Sequence, residues 1–351
     1  MGLNAAAYKT RAAVYERGGR ISIAQLVLPP LQAGEVLLRM RACGICASEA
    51  LPWYADAKAP FVLGHEPVAT VESVGAGVKS LQAGQRVFVH HHAPCGRCRL
   101  CARGDHVQCR TWAQRALNPG GISELAIAAA PAVSADVLPL PESVSDEDAT
   151  FLEPLATVLK SLRRCGMRKG DRVLVIGLGV MGQLHALMAR RRGAEAVIVA
   201  DRNAARLTAA QRLGVDAALD FSAAGACERV LEHASGGADV VIVGPGSFEA
   251  FELATECVSR GGKILLFTPP APNDAWPVKF NALFFKDISI VSSYSAGPED
   301  TREALEVLRS GLPLQALVTH RFPLTQAGSA FALVAQAQEA LKVLVYPNAR
   351  S

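Results

Sequence analysis

This 351-residue sequence contains no uninterrupted apolar run of the ~18 residues that a helical membrane span requires, so a membrane-spanning bundle is not expected. The stretch from Met1 to Arg20 lacks the apolar core that follows a basic start in a secretory leader, so export is not expected and a cytoplasmic location is. Charge of one sign is also missing: the formal net charge is +4 and 19% of residues are charged. The densest basic run, Arg190-Arg191-Arg192, falls at the end of a candidate helix, where cations oppose the negative dipole end. Neither nucleic acid nor membrane is therefore expected as a partner. Half of the residues are apolar, enough to bury cores and too many for a disordered chain. At roughly 150 residues per domain, the length suits two domains. With no export signal, the nine cysteines point to thiolate ligands or buried apolar groups, because a reducing cytosol disfavours structural disulfides.

From Arg172 onward, short apolar runs recur: Val173 to Ile176, Val197 to Val199, Val240 to Val243, Ile264 to Phe267 and Ile288 to Val291. Each reads as a fully buried strand, and the weaker Ala217-Ala218-Leu219 would make six. Helical stretches lie between them, Gln183 to Arg192 closed by Gly193 and Arg202 to Leu213 closed by Gly214. Buried strands alternating with helices predict an α/β fold with a doubly wound, six-stranded parallel sheet. The first 150 residues differ, with alternating strands such as Val36 to Met40 and Val68 to Val71 and many glycine and proline turns, so that region is expected to be mainly β. Beyond residue 296, Pro298 to Ser310 reads as a helix and Val343-Leu344-Val345 as a short apolar run, in a segment expected to pack back on the first domain. The domain spans are 1–155, 156–295 and a returning segment 296–351.

The first buried strand runs into Gly177-Leu178-Gly179-Val180-Met181-Gly182 and then a helix. The first glycine permits a tight turn, the second lets backbone approach a pyrophosphate, and the third lets helix and strand pack closely. Asp201 ends the next strand about 20 residues on, where a carboxylate can accept both ribose hydroxyls and repel a 2′-phosphate. NAD is the expected cofactor, although a guanidinium from Arg202 or Arg206 near the ribose is also suited to a 2′-phosphate.

Cys95, Cys98, Cys101 and Cys109 are spaced C-x2-C-x2-C-x7-C, with Gly96 and Gly104 for tight turns. Four thiolates at this spacing suit a closed, structural zinc site and match neither usual ferredoxin pattern. Three further candidates are dispersed: Cys46 in Gly44-Ile45-Cys46-Ala47-Ser48-Glu49, His65 in Gly64-His65-Glu66, and Glu153 in Leu152-Glu153-Pro154-Leu155. Spacing alone does not join them.

The order of these segments resembles the zinc-containing medium-chain dehydrogenase/reductase superfamily across essentially the whole chain. The glutamate of Leu152-Glu153-Pro154-Leu155 is similar to that of the sorbitol and threonine dehydrogenase branch. The resemblance implies a GroES-like mainly-β catalytic domain, interrupted by a Rossmann domain. It implies two zinc ions per chain, one in the cysteine lobe and one catalytic ion on Cys46, His65 and Glu153, with Glu66 beside the metal. Three protein ligands leave one position open to a substrate oxygen, and Zn2+ makes its proton easier to lose. The activity implied is NAD-linked oxidation of a secondary alcohol to a ketone, or the reverse. A polyol, sugar or cyclitol leads as the small-molecule partner, with an amino alcohol such as threonine behind it. Ser48 resembles the hydroxyl that takes the substrate proton, and a turn-capping role is its plain alternative. Thr157 matches a position near the nicotinamide in relatives.

Two departures from the family pattern stand out. Leu51 occupies a position where many relatives carry a proton-relaying histidine, and Glu49 replaces the aspartate that usually orients the ligand histidine. The run His90-His91-His92 either lines the substrate site or is a solvated strand end, and Trp53 and Tyr54 either wall the pocket or belong to the core. Self-association as a tetramer or dimer is expected by analogy. The competing readings are a quinone or enone reductase of the same fold without catalytic zinc, and a non-catalytic NAD sensor.

Overall fold

The computed structural model describes residues 7–223, 225–338 and 340–349, so the first six residues of the stretch Met1 to Arg20 lie outside it. The chain divides into two compact units, one formed by residues up to Ala156 and from Ala296 onward, the other by Thr157–Ser295.

The second unit is a six-stranded parallel sheet. Its spatial order is Ala217–Asp220, Ala196–Asp201, Arg172–Ile176, Ala238–Val243, Val258–Leu266 and Ser289–Ser292, so in chain order the strands run 3-2-1-4-5-6. That order places a topological reversal beside the first strand, where doubly wound sheets open a crevice at their carboxyl ends. The runs Val173 to Ile176 and Val240 to Val243 are completely buried, as continuous apolar strands require when helices cover both faces. Two of its helices start at a capping side chain: Asn203 accepts the Ala205 and Arg206 N–H groups, and Ser247 accepts that of Ala250. One strand departs from expectation. Ser289–Ser292 was expected to be fully buried, yet it is the sheet edge and Ile290 is 39% exposed. With a neighbour on one side only, an apolar pattern does not guarantee burial.

The first unit is mainly β. An eight-stranded sheet runs from Val318–Pro323 through Lys342–Tyr346, Val36–Gly44, Glu66–Val74 and Arg86–Val89 to Val137–Pro139, with Leu125–Ala128 also paired to Val36–Gly44 and Leu117–Asn118 beyond it. A three-stranded sheet joins Arg20–Leu28, Tyr8–Glu16 and Phe61–Val62. The segment after Ala296 supplies the helix Pro298–Arg309 and two of the strands. Lys342–Tyr346 pairs antiparallel with Val36–Gly44, Leu344 opposite Gly44 and Val345 opposite Cys43. That register delivers the end of the chain to the residues just before Cys46.

Candidate functional site

The antiparallel pair Val36–Gly44 and Glu66–Val74 sets Gly44 opposite Glu66, so the chain leaving one strand toward Cys46 and the chain entering the other from His65 meet at one end of the sheet. Gly64 makes the approach possible: its φ is +93°, and a Cβ there would lie 2.6 Å from Ile122 Cγ1 and 2.8 Å from Cys43 Sγ. The ligand atoms of Cys46, His65 and Glu66 all lie within 4.8 Å of one another. Glu49 is buried in the short turn Ala47–Ala50, where its carboxylate stands 3.0 Å from His65 Nδ1 and also accepts the Gly64 N–H. The acidic arm at position 49 thus reaches the imidazole. Burial opposes charge on His65, but the Glu49 carboxylate and the Cys46 sulfur outweigh it and hold its pKa well above the usual range. The Ser48 hydroxyl donates to Cys46 Sγ at 3.2 Å, so it borders the same centre.

Glu153 lies in the first turn of the helix Leu152–Arg164 and is buried, but it is not one of the tightly convergent donors. It is within electrostatic reach of His65, Glu66, Lys342 and Glu49, and burial pushes its carboxyl up to about 7. The Glu66 carboxylate is paired with the Lys342 ammonium, which is completely buried. Gly44 leaves the space for that pair, since a Cβ there would collide with both side chains. Sequence reasoning passed over Lys342; its signal was a lone lysine leading the apolar run Val343 to Val345.

The three histidines are not a solvated strand end. His90 is fully buried, its Nδ1 accepting the His92 N–H at 3.1 Å, and the His91 ring lies 4.9 Å from that of His65. Burial draws His90 down to about 3 and His92 to about 4, so both are neutral near pH 7. Leu51, Trp53 and Tyr54 are partly buried beside the Cys46 turn, the two rings edge to face at 5.8 Å.

In the cysteine lobe, the sulfur of Cys98 lies 3.5 Å from Cys101 and 3.8 Å from Cys109, and that of Cys95 lies 4.0 Å from Cys101. Tetrahedral zinc with bonds of about 2.3 Å places its sulfurs about 3.8 Å apart. The charge state also fits a cation. Burial raises Cys101 to about 12, whereas hydrogen bonds from Thr111 and the Cys95 backbone overcome burial at Cys109 and bring it to about 5. Four sulfurs this close cannot all ionise without a positive charge among them.

The glycine turn follows the strand Arg172–Ile176. Gly177 has φ +89°, and a Cβ on Gly182 would strike the Gly177 carbonyl, while nothing lies within 4 Å of the position a Gly179 Cβ would take. Val180 and Met181 form the first turn of the helix Val180–Arg191, which leaves their N–H groups free of intrahelical partners. Asp201 accepts the Leu178 N–H at 2.6 Å and the Asn203 N–H at 2.8 Å. Arg206 stands 3.8 Å from Asp201, and Arg202 pairs with Glu249 and lies over the Phe221 ring. Thr157, in the helix Leu152–Arg164, is partly buried.

Residues 32–142 match the family described as alcohol dehydrogenase GroES-like domain, and residues 180–310 match that described as zinc-binding dehydrogenase. Among known proteins, the chain is 29% identical to sorbitol dehydrogenase of Bacillus subtilis, over 96% of this chain and 97% of that one. It is 30% identical to L-threonine 3-dehydrogenase of Anaeromyxobacter dehalogenans, over 92% and 94% respectively. Among solved structures, a zinc-binding dehydrogenase of Sinorhizobium meliloti bound to NADP superposes with a TM-score of 0.86 at 25% identity, covering 97% of this chain and 100% of that one.

Proposed function

Because this chain belongs to the zinc-containing medium-chain dehydrogenase superfamily and is thereby an oxidoreductase, we propose that it oxidises a secondary alcohol of a polyol, sugar or cyclitol to a ketone, reversibly and with NAD. The observation that carries the reading is the convergence of Cys46 and His65, with the carboxylate of Glu66 beside them and that of Glu153 within electrostatic reach, in a chain that also carries the dinucleotide turn. A quinone or enone reductase has no use for such a donor set.

When bound, zinc supplies the Lewis acidity that lets a hydroxyl lose its proton near neutral pH, and NAD supplies the hydride acceptor. Cys46 and His65 are two of the ligands, and Glu49 keeps the imidazole turned so that its other nitrogen serves the ion. We assign Glu153 as the third. Its carboxylate is buried with no hydrogen bond or ion pair among the described residues, whereas Glu66 already has Lys342 for a counterion. Ser48 takes the substrate proton; with Leu51 in place of a relaying histidine, the proton then leaves to water. A second zinc in the lobe of Cys95, Cys98, Cys101 and Cys109 holds that loop and does no chemistry.

NAD is favoured over its phosphorylated analogue because Asp201 ends the second strand, and the cations near it are engaged: Arg202 by Glu249, Arg206 by Asp201 itself. The protein acts as a dimer or tetramer, a reading supported by the apolar side chains Phe280, Phe284 and Phe285, 68%, 78% and 67% exposed, close in sequence to the unpaired edge strand Ser289–Ser292.

The decisive experiment loads the purified chain with zinc, counts metal per chain, and follows reduced nicotinamide while polyols, sugars, cyclitols and threonine are offered. Two zinc ions and turnover of at least one neutral polyhydroxy alcohol are expected. One zinc with reduction of enones would move the protein to the reductase reading, and double loading with no turnover across the panel would leave an NAD-binding sensor.

A further inference from the structure

Five of the nine cysteines belong to the two metal centres, and Cys43 and Cys165 are singly buried. The remaining two are neighbours. Cys227 lies in the first turn of the helix Ala226–His233 and Cys257 ends the helix Phe248–Cys257, and the fold brings their sulfurs to 3.3 Å. Cys257 is fully buried and Cys227 is partly open to solvent, so an oxidant can reach only one member of the pair directly. The hydrogen bond has a direction, Cys257 donating to Cys227. Burial makes both thiols harder to ionise than usual, and at Cys227 the donated hydrogen bond works against that effect. Cys227 is thus the better nucleophile and Cys257 is the thiol held ready behind it.

We propose that Cys227 and Cys257 form an oxidation site, closed to a disulfide by hydrogen peroxide and reopened by thiol reductants. In the first step the Cys227 thiolate attacks one peroxide oxygen. The O–O bond breaks, an S–O bond forms, and the other oxygen leaves as water after taking a proton. In the second, Cys257 loses its proton and attacks the Cys227 sulfur; the S–S bond forms, the S–O bond breaks, and the hydroxyl leaves with that proton as a second water. Two thiols give up two electrons and one peroxide accepts them. The cross-link ties together two elements that hold Arg202. The helix Phe248–Cys257 carries Glu249, its ion-pair partner, and Phe221, under its guanidinium, lies just ahead of the helix that carries Cys227.

The test treats the zinc-loaded full chain with a few equivalents of hydrogen peroxide, removes the oxidant, alkylates remaining thiols and maps peptides without reduction. A peptide joining Cys227 to Cys257 is expected, lost on treatment with dithiothreitol. The oxidised chain should melt higher by roughly 5–10 °C, the gain a loop of this length confers when closed. Cys227→Ser should abolish both the linked peptide and the shift. In Cys257→Ala, Cys227 should stop at the sulfenic acid and be trapped by dimedone. Recovery of both cysteines as separately alkylated peptides, or conversion of Cys227 to its sulfinic acid with Cys257 still a free thiol, overturns the proposal.

Discussion

Single side chains carry most of the site's chemistry, and they separate the roles of residues that look alike in sequence. Cys46 and Cys98 are both thiols in loops, yet Cys46→Ala should remove one zinc and abolish turnover with little loss of fold, while Cys98→Ala should remove the other zinc and chiefly lower thermal stability. Metal analysis with a melting curve for each variant checks this, and equal unfolding by both would contradict it. The two glutamates separate similarly. Glu153→Gln should lower catalytic zinc occupancy at least tenfold; Glu66→Gln should retain the ion and instead strand Lys342 without its counterion, at a cost of ~3 kcal/mol in stability. The pH dependence of folding has its own residue. Asp136 is buried, accepts from the Thr301 hydroxyl, and is raised by burial to about 7. An unfolded aspartate titrates near 3.9, so between the two values the folded chain holds a proton that the unfolded chain lacks. Stability should therefore fall as pH rises from ~4 to 7 and level off above. Asp136→Asn should flatten that slope by an amount on the order of a few kcal/mol, read from denaturant midpoints at pH 5 and 8.

At the scale of elements, the strand, glycine turn and helix over Arg172–Arg191 were readable because each of their constraints is local. A tight turn, a close backbone approach and a crowded helix contact each demand glycine at a fixed spacing, and Gly177, Gly179 and Gly182 supply them. Gly182→Ala should cost about 1–3 kcal/mol and weaken NAD binding, because the new methyl meets the Gly177 carbonyl. Fluorescence titration with NADH, set against the melting curve, separates the two effects. The buried strands of the parallel sheet were equally plain, since continuous apolar runs have few other uses. The edge strand Ser289–Ser292 was misjudged because periodicity records apolarity and not the number of neighbours. The same limit applies to the site. Cys46 and His65 were singled out through resemblance, but the partnership of Glu66 with Lys342 depends on a register between strands far apart in the chain, which no local pattern encodes. The histidine run was likewise ambiguous, because a sequence window does not reveal that Trp112 and His65 pack on His90 and His91.

For the whole molecule, the feature with the largest consequence for solution behaviour is the apolar surface around Phe280, Phe284 and Phe285. Left bare on a monomer it invites non-specific association; covered by a second copy it becomes an interface. Light scattering should give a dimer or tetramer, and Phe284→Asp should shift the mass toward the monomer without loss of secondary structure.

The insertion of Lys342–Tyr346 beside Val36–Gly44 also has a bearing on how the protein is made. The ribosome completes the whole unit Thr157–Ser295 before it releases the strand that carries Lys342, so until then Glu66 lacks this counterion and Val36–Gly44 lacks this neighbour in the sheet. For as long as translation of the intervening residues takes, that edge is open to pairing with other chains.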